Sequence, residues 1–517
     1  MELVQKNIHF IRMKKEAENQ ITLEEDVNIP DTKEDVEEIL FTENHIVIEE
    51  VKAQENKVYI RGKMMYSVLY KSEDTGRICN LLGSFPINEQ LYMEGISASD
   101  KITVKPKVLD FSVGIINSRK ISIQSVIELY ACMQDMYDEQ ITTDVQGEEC
   151  EILQKECDFT QLTVCKKDIL RLRENVNLPG NMPNVEEVIF SSLRLVNLEY
   201  KPLDGQLNVQ GKVQVFVLYD GERDSRNQVY QTTIPFSMTV ECSGCKSNVI
   251  SQISHEILDK QIHLETDFDG ENRSFQVEMV IELEMKLYEP QKVKVLWDLY
   301  GTRKELVPVI REFGYNHLAE QHQGTLPVTE KLNVEQEENV RWALLYSSAE
   351  AFLEKCEVTD NQIHMRGIVS CQLLFMAEGS NDDFYHKDIQ IPFVKTIEGS
   401  FMAENVTCSA FLYCADIKVS VDAEGHGGVE ISLAYKLMVF EKMPGRNMTS
   451  VEAKEMDPEK CNNMPAMAVC ILSAGDTLWE IGKKYGVTLK QIREMNQMSS
   501  EEVKEGEKIL IVRGMCS

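Results

Sequence analysis

Apolar positions along this chain follow two different periods. Over most of its length they alternate with polar ones. Around Gly62 the inward positions are Val58, Ile60, Met64, Tyr66 and Val68, and around Gly211 they are Leu207, Val209, Val213, Val215 and Val217. Around Gly367 they are Ile363, Met365, Val369, Cys371 and Leu373. A period of two predicts strands with one buried face. A later strand follows each of these in the same style. Its apolar residues are Ile121, Ile123, Ile127 and Leu129, then Phe275, Val277, Met279, Ile281, Leu283 and Met285, then Val429, Ile431, Leu433, Tyr435, Leu437 and Val439. Turn signals such as LDGQ (203–206) and YDGER (219–223) separate the runs as hairpins do.

The period changes in LSAGDTLWEIGKKYGVTLKQIREMNQM, residues 472–498. Leu478, Ile481 and Tyr485 share one helical face, and Leu489, Ile492 and Met495 share another. Thr477 with Glu480, and Thr488 with Gln491, have the spacing of capping boxes, in which side chains satisfy the orphan amides at a helix start. Gly486 is placed to stop the first helix. The flanks VCILS (469–473) and KILIV (508–512) read as strands, so a βααβ unit is expected.

The β-rich part repeats. NIPDTKEDVEEIL (28–40) matches NLPGNMPNVEEVI (177–189), and RGKMMYSVLY (61–70) matches QGKVQVFVLY (210–219), at a constant offset of 149 residues that also carries Pro86 onto Pro235. Such a register over this length is the mark of duplication. QIHMRGIVSCQLLF (362–375) and IPF (391–393) form a more diverged third copy. The glycine shared in mid-strand suggests a bulge or a close backbone approach. The VEEIL and VEEVI stretches read as a helical turn or an edge. The expected organisation is three related β domains, sandwich-like, at 20–135, 165–295 and 325–445, then a Met- and Pro-containing linker at 446–467 and the small α+β unit at 468–513.

Composition narrows the function. The 517 residues exceed what one core holds, and 43% hydrophobic with 27% charged content is ordinary for folded protein. A formal net charge of −31 makes phosphate backbones and anionic lipid heads poor partners. The N-terminal MELVQKNIHFIRMKKEAENQ lacks the apolar core of a secretory leader, no run approaches the ~18 apolar residues of a membrane span, and 14 scattered cysteines suit a reducing compartment. Nucleotide-binding, zinc-protease and hydrolase motifs are absent. ECSGC (241–245) lacks two further zinc ligands and reads as a pair of thiols. DFDGEN (267–272) lacks the later carboxylate of a calcium loop and reads as a hairpin turn. With nine unclustered histidines, neither catalysis nor a metal or other cofactor is expected.

Residues 470–512 closely resemble a LysM domain, on Gly475, Asp476, Thr477, Leu478, Trp479, Ile481, Tyr485, Gly486, Val487, the Met495–Asn496 pair, Gly506, Ile509 and Ile511. The resemblance implies a shallow groove between the loop before the first helix and the loop after the second. Its candidate contact residues are Ala474, Gly475, Asp476, Thr477, Leu478 and Trp479 on one side, and Gln497, Met498 and Ser499 on the other. LysM domains commonly hold N-acetylglucosamine polymers there. Ala474 and Cys470 replace the usual proline and leading aromatic, which argues against a glycan. Trp479 lies about 100° round the helix from Leu478, so it reads either as a half-exposed interface anchor or as cover for the edge of a tiny core.

The repeats, on the N-[IL]-P starts and glycine strands, resemble SPOCS domains, and the whole arrangement resembles the SipL family of clostridial spore-coat morphogenetic proteins. That resemblance implies a non-enzymatic adaptor in the mother-cell cytoplasm at the forespore surface, its LysM domain gripping the coat's basement-layer ATPase, SpoIVA. Peptidoglycan of the cortex or wall is the alternative partner. What the β domains touch stays open, other coat proteins being one candidate.

Overall fold

The computed structural model describes residues 1–223, 225–334, 340–379, 383–401, 405–422, 424–456 and 465–513. Its first six strands are β1 (Glu2–Asn28), β2 (Val36–Gln54), β3 (Lys57–Ser72), β4 (Ile78–Tyr92), β5 (Ile102–Asn117) and β6 (Lys120–Gln146). They form two antiparallel sheets, β1-β6-β5 and β2-β3-β4. Val58, Ile60, Met64 and Val68 of one sheet close on Ile121, Ile123, Ile127 and Leu129 of the other, which is the sandwich that the alternation predicts.

The next six strands repeat the arrangement. They are β7 (Cys150–Asn177), β8 (Val185–Leu203), β9 (Gln206–Gly221), β10 (Ser225–Glu241), β11 (Ile250–Thr266) and β12 (Asn272–Gly301), in sheets β7-β12-β11 and β8-β9-β10. So do β13 (Lys304–Asn333), β14 (Trp342–Thr359), β15 (Gln362–Ala377), β16 (Phe384–Glu398), β17 (Val406–Val421) and β18 (His426–Glu455), in sheets β13-β18-β17 and β14-β15-β16. The third copy is therefore a full member of the series despite its divergence. The VEEIL and VEEVI stretches open the edge strands β2 and β8.

The shared glycine faces a β-bulge in all three copies. Gly62 pairs with Ile48 beside a register shift to Glu50, Gly367 pairs with Leu353 beside a shift to Lys355, and Gly211 lies opposite the shift between Val196 and Glu199. A Cβ on Gly62 would strike Val47 O, and one on Gly367 would strike Phe352 O. The bulge brings the partner backbone to where a side chain would start, so only glycine fits.

The three sandwiches share two further cores. Gly367 follows Gly211 by 156 residues, and the two offsets carry Phe41 onto Phe190 and Tyr346, and Leu69 onto Leu218 and Leu374. All six side chains are in one buried cluster. The rings of Phe41, Phe190 and Tyr346 form a near-equilateral triangle, with centroids 5.4, 5.5 and 5.4 Å apart, each pair edge to face. At the other end the outer strands, 27 to 30 residues long, run on past their sandwiches. There Phe10, Phe159 and Tyr315, again equivalent by the same offsets, gather with Ile8, Ile141, Val293 and Val295.

These extensions reach outside the expected limits of 20–135, 165–295 and 325–445. They also claim part of the expected linker. Residues 446–455 are the end of β18, paired with β13 as far as Glu455 opposite Lys304, while 457–464 lie outside the described residues. The C-terminal unit follows as β19 (Met467–Ile471), α1 (Leu478–Tyr485), α2 (Leu489–Asn496) and β20 (Lys508–Val512), with β19 and β20 antiparallel.

Candidate binding site

Both helices of the C-terminal unit begin as their sequence dictates. The Thr477 side chain accepts from Glu480 N–H at 3.2 Å while Glu480 accepts from Thr477 N–H at 3.3 Å, and Thr488 and Gln491 exchange the same pair at 3.1 Å each. Gly486 ends α1 in the left-handed conformation at φ 63°. Leu472, Leu478, Ile481, Val487, Ile492, Ile509 and Ile511 form the core of the unit. Asn496 fastens α2 to the sheet. Its amide donates to Ile492 O at 2.8 Å and to Leu510 O at 2.7 Å, and its carbonyl accepts from Leu510 N–H at 2.7 Å. Cys470, in place of an aromatic, packs on this core with its thiol 3.3 Å from the Tyr485 hydroxyl.

The candidate groove residues divide by exposure. Ala474, Gly475, Asp476 and Thr477 are exposed, as are Gln497 and Ser499. Asp476 shapes its loop, accepting Ser473 N–H at 2.7 Å across Gly475, which sits at φ 94°. Gln497 caps α2 in the left-handed conformation. Leu478 belongs to the core, and Met498 packs against it from the other loop, so both loops flank one apolar centre.

Trp479 is neither open nor part of the unit's own core. It is 9% exposed, and what covers it comes from β12. Its indole N–H donates to Asp298 Oδ2 at 2.9 Å, and its ring lies edge-on to Tyr300, with centroids 4.8 Å apart. Lys483 reaches both oxygens of the same carboxylate at 2.7 Å, and the Tyr300 hydroxyl donates to Val487 O at 2.9 Å. Burial would raise the Asp298 carboxyl, but the hydrogen bonds from Lys483 and Trp479 outweigh it and hold the group below its ordinary range. Burial pushes the Tyr300 phenol up, so it remains a donor. No local pattern could have shown this contact, because Trp479 and Asp298 are 181 residues apart along the chain.

One surface was legible but not read. Met467, Val469 and Ile471 stand 64%, 61% and 64% exposed in a row on the outer face of β19, while Cys470 of the same strand packs inward. Opposite them across the ladder are Val512, Leu510 and Lys508. The signal is the unbroken apolar run Met467–Leu472, in a strand that needs only one apolar face.

Elsewhere, the ECSGC thiols of Cys242 and Cys245 are buried with Val164 and Leu287. The 149-residue offset places them where the first repeat has Met93 and Ile96, which are buried in the sandwich core. Asp267 of DFDGEN spends its carboxylate on the amides of Asp269 and Glu271, at 2.9 and 3.0 Å, within a hairpin. Among the described residues no group of three His, Cys, Asp or Glu is placed to hold a metal ion, and no helix is long and apolar enough to cross a membrane.

Comparison with known proteins matches parts of the first two sandwiches and the C-terminal unit. Residues 35–116 and 184–265 each match the family model described as SipL, SPOCS domain, and residues 472–512 match the LysM domain. No curated protein and no solved structure matches the chain. SPOCS and LysM are non-catalytic families that point to a sporulation coat-related protein with a LysM module. The third sandwich, outside both SPOCS matches, has the same strand order.

Proposed function

We propose that this chain, built from SPOCS domains of the SipL family and a LysM domain, is a non-enzymatic adaptor of spore coat assembly. Its LysM unit binds a protein, the coat's basement-layer ATPase (SpoIVA-like), at the forespore surface in the mother-cell cytoplasm. The observation that carries this reading is the chemistry of the open LysM surface. Sugar rings are gripped by exposed aromatic faces together with polar groups. Here the open loop residues are Ser473, Ala474, Gly475, Asp476 and Thr477, and the one tryptophan of the unit is covered. The largest open apolar feature is instead the aliphatic row Met467, Val469 and Ile471. Such an open aliphatic face suits a protein interface.

The test uses the full chain and its Val469→Glu variant, titrated against the coat ATPase, chitin oligomers and peptidoglycan fragments. Val469 points away from the LysM core, so the variant folds, which circular dichroism checks. Binding to the ATPase weakened at least about tenfold by the buried charge, with no sugar binding, is the expected result. Sugar binding in place of ATPase binding would make the chain a peptidoglycan-binding LysM protein.

A further inference from the structure

We propose that the β body holds the LysM domain in a clasped state, in which Asp298 and Tyr300 occupy the Trp479 face of α1, so that any partner using that face must first displace them. The inference rests on the adaptor reading only for the identity of the partner. Three independent features on both sides of the contact fit each other.

The first is the shared carboxylate. Asp298 is 18% exposed and binds the indole N–H and the Lys483 ammonium together, which takes up the single indole donor while the domain is docked. The second is Gly482, inside α1. Glycine in a helix interior costs about 1 kcal/mol relative to alanine. A Cβ at this position would collide with the Tyr300 hydroxyl on its way to Val487 O, and would itself come within 2.9 Å of Val487 O. The missing side chain thus leaves room for Tyr300 to reach Val487 O in the docked state, beside the unit's own turn after α1. The third is a β-bulge in β12, whose register against β7 shifts between Leu296 and Asp298. Bulges re-aim side chains, and this one presents Asp298 and Tyr300 to the helix.

Two faces of one small domain then have different availability. The aliphatic row on β19 is open at all times, while Trp479 is exposed only after the clasp opens. A partner that first meets the open row gains the Trp479 face at the expense of the Asp298 contacts. Its apparent affinity is reduced by the fraction of chains that are clasped.

The experiment uses the full chain with Trp297→Phe and Trp342→Phe, leaving Trp479 as sole reporter, with and without Asp298→Asn and Tyr300→Ala. Acrylamide quenching measures access to the indole, and circular dichroism checks the fold. Low quenching in the parent that rises severalfold in both clasp variants supports the proposal. Equal quenching in all forms overturns it, as does an indole already accessible in the parent. The same proteins are titrated with the coat ATPase, and the clasp variants are expected to bind about tenfold more tightly. Equal affinity in parent and variants, with quenching raised, overturns the competition. No ATPase binding by any form, with quenching raised, removes that partner and supports the clasp itself.

Discussion

Truncating Phe190 should weaken all three sandwiches at once. The ring is 2% exposed and lies 5.4 Å from both Phe41 and Tyr346, so each β domain supplies one corner of the triangle. Loss of a buried phenylalanine costs about 3–5 kcal/mol through lost transfer energy and the cavity left behind. Each edge-to-face contact contributes about 0.5–1.5 kcal/mol within that total. In an isolated sandwich the cost would fall on one domain. Here the emptied space borders Leu40, Leu69, Leu345 and Leu374, which belong to the other two. The measurement is urea unfolding of the full chain followed by circular dichroism, on Phe190→Ala, Phe41→Ala and the double variant. Single-domain energies are meaningful only if the transition stays single, so its shape is a result in itself. A shared core requires the double variant to lose less than the sum of the two, by about 0.5–3 kcal/mol, because the second truncation enlarges an existing cavity. Additivity to within about 0.5 kcal/mol would refute the shared core.

Two other perturbations test different levels of the structure. His255 lies 2.8 Å from the Tyr200 hydroxyl and edge-on to Phe411 and Tyr413 of the third repeat, and burial lowers it from 6.5 to about 4. The unfolded chain binds the proton first, so stability is complete above pH 6.5 and falls between there and pH 4, by at most about 1.4 kcal/mol per unit. Urea midpoints at pH 7.5 and pH 5 should differ in the parent by more than in His255→Gln, and an equal difference would count against this site. Asn496→Ala should cost the LysM domain about 2–4 kcal/mol, since it leaves both backbone groups of Leu510 without their partner. Hydrogen exchange should then quicken across 468–512 while the β body keeps its protection, and unchanged exchange would show that Asn496 is dispensable.

Much of the molecule was legible locally because local rules decide it. A period of two states which residues of a strand face its own sandwich, and Val58, Ile60, Met64 and Val68 are all buried there, as are Val369, Cys371 and Leu373. Capping pairs act over three residues, and both formed. The repeat register carried meaning as far as explaining ECSGC by Met93 and Ile96 of the first copy.

The contacts that the local pattern leaves out share one cause. In VLY of β3, Val68 serves the first sandwich, while Leu69, out of phase, looks like a surface residue by periodicity alone. It is 0% exposed, because Leu218 and Leu374 meet it from other copies. The expected linker at 446–467 loses residues 446–455 for a similar reason, since β18 continues to Glu455 on a partner, β13, that lies over 100 residues earlier. Trp479 was ambiguous because the helix alone gives its direction and not what stands opposite it.

The sequence by itself determined the strands, their buried faces, the duplication and the LysM unit, all of which depend on spacings within a few residues or on direct self-similarity. Only the tertiary structure decided that the three sandwiches share aromatic cores and that Asp298 and Tyr300 cover Trp479. Those contacts join residues far apart in the chain, and an out-of-phase apolar residue is written the same way whether it ends in water or against another domain.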